Sequence, residues 1–535
     1  MNFKGFRTLL VLLFLVTLAA CDQPAATDPA ASAPVPQPEP AAEAKAGDIN
    51  KAEISWFEGS VEEAFALSKE KDTPLFLYWG AVWCPPCVEI KNTVFKSPRF
   101  IAMTDLFIPV YLDGDTERAQ TWGDTFDAKV YPTMIIFNPD GEEVTRLHAG
   151  INISAYNTVL QLSLDSMRPT RELVEAALED PSSLTDTELQ QLGYHSWYDS
   201  RDLPQDLPAK MFLELSEAAG STSPEAAARL YLQYVTALGE NDELEGADPA
   251  RIMAILSSPG LTFASWDYLI TPESITPGLA GKEEEMAALK ETWAATMHDG
   301  RHDERLSAKN QLYGWRPLLV FHFEGDEDKV KPLPVGVADA IRADVQAVDE
   351  GVAGSHSRQS AINTASNVFM LAGMTGDART LLTAEIEKSK TPYYFMGSLA
   401  FLEEKEGNTA ESLKWRQAAY ESSEGPATRI RWWASYVQAL VRLAPENSDT
   451  IIAASMYVFD QGQGMADIFS GANFRNLQRA TVSLDEWDSE YHPDASKLTD
   501  FTAVLEIACA RQEQDSQELA SCSGLVQAVS SIGIM

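Results

Sequence analysis

The chain has 535 residues, 45% of them hydrophobic and 22% charged, a globular composition long enough for two to four domains at about 100–200 residues each. Its 41 Lys and Arg face 79 Asp and Glu, and the net charge of −38 excludes a nucleic-acid backbone or a polybasic contact with anionic lipid as partner. Five cysteines in such a length exclude a disulfide-scaffold protein.

Lys4 and Arg7 precede an apolar run from Leu9 to Leu18 that is too short to span a bilayer, and Ala19, Ala20 and Cys21 follow it. Residues 1–20 therefore read as a signal peptide. The Cys at the first mature position resembles the lipobox of bacterial lipoproteins. That resemblance implies an acylated Cys21 and a lipid-anchored chain on the periplasmic side of the bacterial cell envelope. An ordinary signal peptide with an incidental Cys is the alternative. Asp22 resembles the inner-membrane retention signal of enteric lipoproteins and favours the inner membrane over the outer. Residues 21–50 are rich in Pro and Ala, cannot bury enough surface to fold, and read as an extended tether.

From residue 51 the pattern alternates. Ser60 to Lys71 is amphipathic and reads as a helix, and Pro74 to Trp79 as a buried strand. Cys87 to Val94 reads as a helix, Leu106 to Leu112 as a second strand and Thr133 to Phe137 as a third. Asn138 to Gly141 is a turn signal, Glu142 to His148 a fourth strand and Asn152 to Leu164 a closing helix. The chemistry sits in Trp83-Cys84-Pro85-Pro86-Cys87 and, further on, in Tyr131-Pro132-Thr133. A lone C-x-x-C could be half of a zinc site, but no second Cys pair lies nearby and His148 is the only His of the region, so neither metal nor cofactor is expected. A Cys at a helix start is favoured as thiolate, and a second Cys one turn on can resolve a mixed disulfide.

Residues 51–168 resemble the thioredoxin-like fold family, most closely the periplasmic thiol–disulfide interchange domains of the DsbD type. The resemblance implies an α/β domain with a central mixed sheet flanked by helices. It also implies a redox-active Cys84–Cys87 disulfide, with Cys84 as the nucleophile and Cys87 as the resolving thiol. Pro132 becomes a cis proline facing the sulfurs, and Trp83, Tyr131, Pro132 and Thr133 the substrate-binding residues. Pro86 removes an amide that could stabilise the thiolate, which favours a reductase. The family's buried Asp six residues before the first Cys is replaced by Tyr78, so the usual proton acceptor is absent; Glu89 and Lys91 either substitute for it or are solvated helix residues. Trp79 and Trp122 read as core aromatics.

The remainder is strand-poor and carries a net charge of −29. It divides into a helical region over 169–350 and a repeat-like helical region over 351–535 that ends in a helical hairpin. Caps recur at Thr170, Ser223-Pro224, Asp248-Pro249 and Thr391-Pro392, and stops at Gly376-Asp377 and Gly407-Asn408. The segments Leu381 to Lys388, Pro392 to Glu406, Thr409 to Ser422 and Pro426 to Leu443 resemble degenerate tetratricopeptide-like (TPR-like) helical repeats; a non-repetitive helical domain has the same composition. Cys509 and Cys522 fall on the apolar stripes of two consecutive helices. They read as a structural disulfide, with a relay pair or two inert thiols as alternatives. His298 and His302 lack a third ligand. Arg429, Arg431, Trp432, Trp433 and Tyr436 form either a peptide-binding surface or packing between helices.

The reading that results is a lipid-anchored periplasmic thiol–disulfide oxidoreductase, a reductase acting by dithiol exchange. Its partners would be a protein substrate with a disulfide and a periplasmic or membrane electron donor, with no nucleic acid. The alternative is a helical scaffold or assembly lipoprotein whose thioredoxin-like domain recognises without turnover. Residues 51–168 are expected to reduce generic disulfides unaided, and overall acidity favours a partner that is neutral or basic where it docks.

Overall fold

The computed structural model describes residues 53–530 apart from 117–118, 149–150, 198–202, 205–206, 241–244, 327, 330, 353–354, 462–466, 494–495 and 515. The signal-peptide and tether segments and Cys21 lie outside the described residues. Ser60 caps the first helix, α1 (Val61–Lys71): its hydroxyl accepts from the Glu63 amide while the Glu63 carboxylate accepts from the Ser60 amide. The apolar run that follows becomes β1 (Leu75–Gly80), buried at every position.

Burial on both faces makes β1 a central strand. β2 (Ile108–Asp113) pairs with it in parallel and β3 (Thr133–Phe137) antiparallel on the other side; β4 (Glu143–His148) adds to β3, giving the order β2-β1-β3-β4. Leu77 sits between Val110 and Ile135 in this register. The β3–β4 turn uses Gly141 at φ +85°, where a side chain would be strained.

Alternation along β1 sends Phe76 and Tyr78 to one face and Leu75, Leu77 and Trp79 to the other. The first face is covered by α2 (Pro85–Asn92), α3 (Pro98–Thr104) and α5 (Ile153–Asp165) through Ile90, Phe100, Ile101 and Val159. The second meets Val61 and Ala64 of α1, and Trp122 of α4 (Ala119–Thr125) packs against it. Trp79 is thus a core aromatic, and Trp122 a partly buried one that packs on the core. The sequence reading has no counterpart for α3 and α4.

All regular elements after α5 are helices among the described residues, with one isolated bridge between Ala247 and Leu279. The repeat-like stretch becomes Thr375–Ile386, Pro392–Lys405, Thr409–Ser422 and Pro426–Leu443, each packing on the next. Gly376 is no stop: it lies inside the first of these helices, and the left-handed turn is made by Gly373 at φ +71°. The hairpin of Thr499–Cys509 and Gln517–Ser530 is closed by a Cys509–Cys522 disulfide, Cα–Cα 5.5 Å. No helix among the described residues is long and apolar enough to cross a membrane.

The described residues fall within one compact unit. The core beneath α2 runs without interruption into the helices, joining Tyr78, Cys87 and Tyr156 to Trp433, Leu477 and Cys522. Polar contacts fix the seam. Asp115 accepts from the amide and hydroxyl of Thr428 at 2.9 and 2.8 Å, at the start of helix Pro426–Leu443. The first amides of helix Gly471–Tyr491 donate into α4, Gly471 to the Asp124 carboxylate and Ala472 to Gln120 Oε1.

Candidate active site

Cys84 is the N-cap residue of α2, in extended conformation, and Cys87 lies on the helix's first turn. The two sulfurs are bonded, with Cα atoms 5.2 Å apart. Pro85 and Pro86 occupy the first two helical positions and have no N–H to offer. The Cys87 amide, 3.3 Å from Cys84 Sγ, is the donor left to a Cys84 thiolate from this turn.

Tyr131 carries the opposing loop. Its ring stacks on Trp79 at 4.0 Å and meets Trp83 edge-on at 5.3 Å. Its hydroxyl accepts from Gln120 Nε2 at 2.7 Å, and burial pushes its pKa up, so it stays protonated. The Tyr131 carbonyl is 3.6 Å from Cys84 Sγ and can accept from the reduced thiol. The Tyr131–Pro132 peptide is cis. Pro132 and Thr133 are buried behind this loop, and the Thr133 hydroxyl donates to the Val130 carbonyl. Val130 and Tyr131, rather than Pro132 and Thr133, line the cleft in front of Cys84.

Tyr78 stands where the family places its acid. Its hydroxyl donates to the Cys87 carbonyl at 3.4 Å, and burial, reinforced by Asp113, holds its pKa far above the usual value. It is therefore no proton acceptor. Glu89 and Lys91 are not solvated helix residues. Glu89 is buried, accepts from Ser360 Oγ at 3.0 Å and faces Lys309 Nζ at 3.8 Å. Lys91 donates to Tyr111 Oη at 2.5 Å, which donates to Asp113 at 2.8 Å; burial pulls the Lys91 pKa down, partly opposed by Asp113.

The helices close over the motif. Gln359 Nε2 donates to the Trp83 carbonyl, and the Arg431 guanidinium lies 4.6 Å over the Trp83 indole. Cys84 is left 3% exposed and Cys87 0%. A cavity of about 590 Å³ opens in front of Cys84, walled by Trp83, the Tyr131 loop and residues from four distant helices, with Arg431 among them. Residues 51–168 alone do not build this cleft. Of the basic–aromatic cluster, Trp432, Trp433 and Tyr436 pack into the core, Arg429 donates to the Ser423 carbonyl and Arg431 faces the cleft. Among the described residues no three His, Cys, Asp or Glu side chains gather as metal ligands, and His298 instead contacts Asp299 and Trp315.

A family model described as thioredoxin-like matches residues 56–139. Residues 56–139 form a thioredoxin-like domain. The match takes in β1, the Cys84–Cys87 motif, β2 and β3, and the helical remainder lies outside it. None of the curated proteins compared with the chain matches it.

Proposed function

We propose that the protein is a thiol–disulfide oxidoreductase that reduces disulfides by dithiol exchange. The observation that carries this is the Cys84–Cys87 pair at the start of α2, with Cys84 alone opening on a cleft. The Cys84 thiolate attacks one substrate sulfur; the substrate S–S bond breaks and its second sulfur leaves as a thiolate that takes up a proton. Cys87, one turn on, attacks Cys84 Sγ as its thiolate, releases the first substrate sulfur and restores the protein disulfide. Two electrons pass to the substrate, and an external dithiol must return them. The two prolines withhold amide donors from the thiolate and favour the reducing direction; the cations of the cleft act against them.

We place this activity at the periplasmic side of the bacterial cell envelope, anchored through Cys21, on the strength of the N-terminal sequence. The bonded Cys509–Cys522 pair is in keeping with an oxidising compartment. Redox titration of the soluble chain tests the function. The expected result is a reversible two-electron couple at Cys84/Cys87, with a midpoint nearer thioredoxin's about −270 mV than the about −120 mV of a strong dithiol oxidant. A Cys87→Ser chain should accumulate mixed disulfides on Cys84. The absence of both a couple and a mixed disulfide leaves the scaffold reading in its place.

A further inference from the structure

Six cations face the cleft: Lys129, Arg416, Arg431, Arg442, Arg475 and Arg479. No carboxylate lines it, in a chain whose net charge is −38. Three carboxylates pair with four of the six from behind. Glu404 bridges Arg416 and Arg442, Asp124 meets Arg475 at 3.3 Å and Asp127 meets Lys129 at 3.2 Å. Among the described residues no carboxylate lies within ion-pair distance of Arg431 or Arg479. The cleft wall thus carries a net positive charge against the sign of the whole molecule.

The placement ties this charge to the chemistry. Cys84 is too enclosed for a flat protein surface to reach, so a substrate disulfide must enter the cleft and pass its cations. A volume of about 590 Å³ falls within the usual range of ligand sites, about 300–1,000 Å³. A neutral or cationic substrate would strip water from these guanidinium groups without replacing it. A carboxylate replaces it with charge-assisted hydrogen bonds; among the described residues the Arg431 guanidinium has no hydrogen-bond partner, while Arg479 gives Nε to the Arg475 carbonyl and Nη2 to Asn476 Oδ1 and keeps Nη1 to offer.

Resting on the exchange chemistry proposed above, we infer that the substrate of this site is a disulfide flanked by carboxylates, entering as a narrow anionic group whose carboxylates are received by Arg431 and Arg479. This reverses, at the cleft, the expectation of a neutral or basic partner drawn from overall charge. The electron balance is that of the exchange described above, with dithiothreitol, removed before the assay, as the dithiol that first reduces the protein.

The test is single-turnover reduction by the full soluble chain of three small disulfides: anionic glutathione disulfide, neutral hydroxyethyl disulfide and cationic cystamine. Each rate is divided by the rate of the same disulfide with free dithiothreitol. The expected order is anionic, neutral, cationic. Charge-assisted hydrogen bonds of about 1.5–3 kcal/mol set the anionic-to-neutral ratio at about tenfold or more. Raising the salt should shrink that ratio in the unmutated protein, which needs no variant to fold. Arg431→Gln and Arg479→Gln should lower it about tenfold, and Arg431→Lys should restore part of it. A second arm compares short peptide disulfides flanked by Asp or by Lys. Preference in both arms supports a free small disulfide; preference in the peptide arm alone supports a polypeptide segment. Reduction of hydroxyethyl disulfide with no anionic preference in either arm overturns the inference and leaves the exchange reading standing. No reduction of any disulfide brings both down.

Discussion

Acidification should destabilise this protein through one buried histidine. His195 ends the helix Asp186–Tyr194 and packs against β4 at 3% exposure. Its Nδ1 lies 3.2 Å from Thr145 Oγ1 and accepts from the Arg146 amide at 3.4 Å, a geometry that assigns the proton to Nε2. Burial, assisted by the neighbouring Arg146, pulls its pKa down to about 3. In the unfolded chain the value is about 6.5. Between those values the unfolded state binds a proton that the folded state refuses, so stability rises with pH and is lost as pH falls below 6.5. The full slope of about 1.4 kcal/mol per pH unit develops only below the unfolded value, so going from pH 7 to 4.5 should cost about 2.5 kcal/mol through this group. Urea denaturation from pH 7 to 4.5, on the protein and on His195→Gln, isolates the term. The variant is expected to begin less stable at pH 7, having lost the imidazole contacts, and the gap should close or reverse by about 2.5 kcal/mol at pH 4.5. A stability difference that stays constant across that range would refute the reasoning.

Replacing both Cys509 and Cys522 by Ala opens a loop of sequence separation 13, worth about 3 kcal/mol in the chain-entropy model. Calorimetry should show a lower melting temperature with exchange at Cys84 retained, whereas lost exchange at unchanged stability would mark a relay. Arg229 and Asp267 form a bidentate pair at 2.7 and 2.9 Å, both nearly inaccessible, and Asp267→Asn strands the guanidinium at a cost of about 3–5 kcal/mol. An unchanged denaturation midpoint for that variant would contradict the assignment. Glu404, whose carboxyl is held low chiefly by Arg442, restrains two cleft arginines; Glu404→Gln should raise the preference for anionic over neutral disulfides, and a fall would show that the pair sets cleft shape instead. In the reduced protein, alkylation at neutral pH should label Cys84, which lines the cleft, well ahead of Cys87; mass mapping that finds equal labelling would remove the basis for a single nucleophile.

The sheet was legible because its signals are local. The apolar run at β1, the C-x-x-C and the Asn138 to Gly141 turn each carry their own geometry, and Thr133–Phe137 falls where alternation predicts. α3 was invisible because Phe100, Ile101, Ala102 and Met103 are all buried and show no polar face to give a period. α4 holds Gly and two Thr, poor helix formers, and is kept helical by its contacts with the helix Gly471–Tyr491. Helix ends after residue 390 followed Pro and Gly closely, while Gly376 misled because a glycine signals a turn only where φ is positive, as at Gly373. The cleft had no sequence signature. Its cations come from positions as distant as 129 and 479, and their charge vanished in the acidic average of the chain.

The seam between α4 and the helix Gly471–Tyr491 has a consequence for how the molecule is made. Contacts separated by some 350 positions, such as Gly471 to Asp124 and Ala472 to Gln120, form late in any search for the native topology. Synthesis begins at the N-terminus, so Trp83 to Cys87 emerge, and their sheet can assemble, before Arg431, Arg479 and the disulfide-closed hairpin have been made. During that interval the reactive pair stands uncovered and indifferent to charge. A molecule truncated before residue 471 would keep both cysteines of the motif and four of the six cleft cations, Arg431 among them, but would lack Arg475, Arg479 and the helix that carries them.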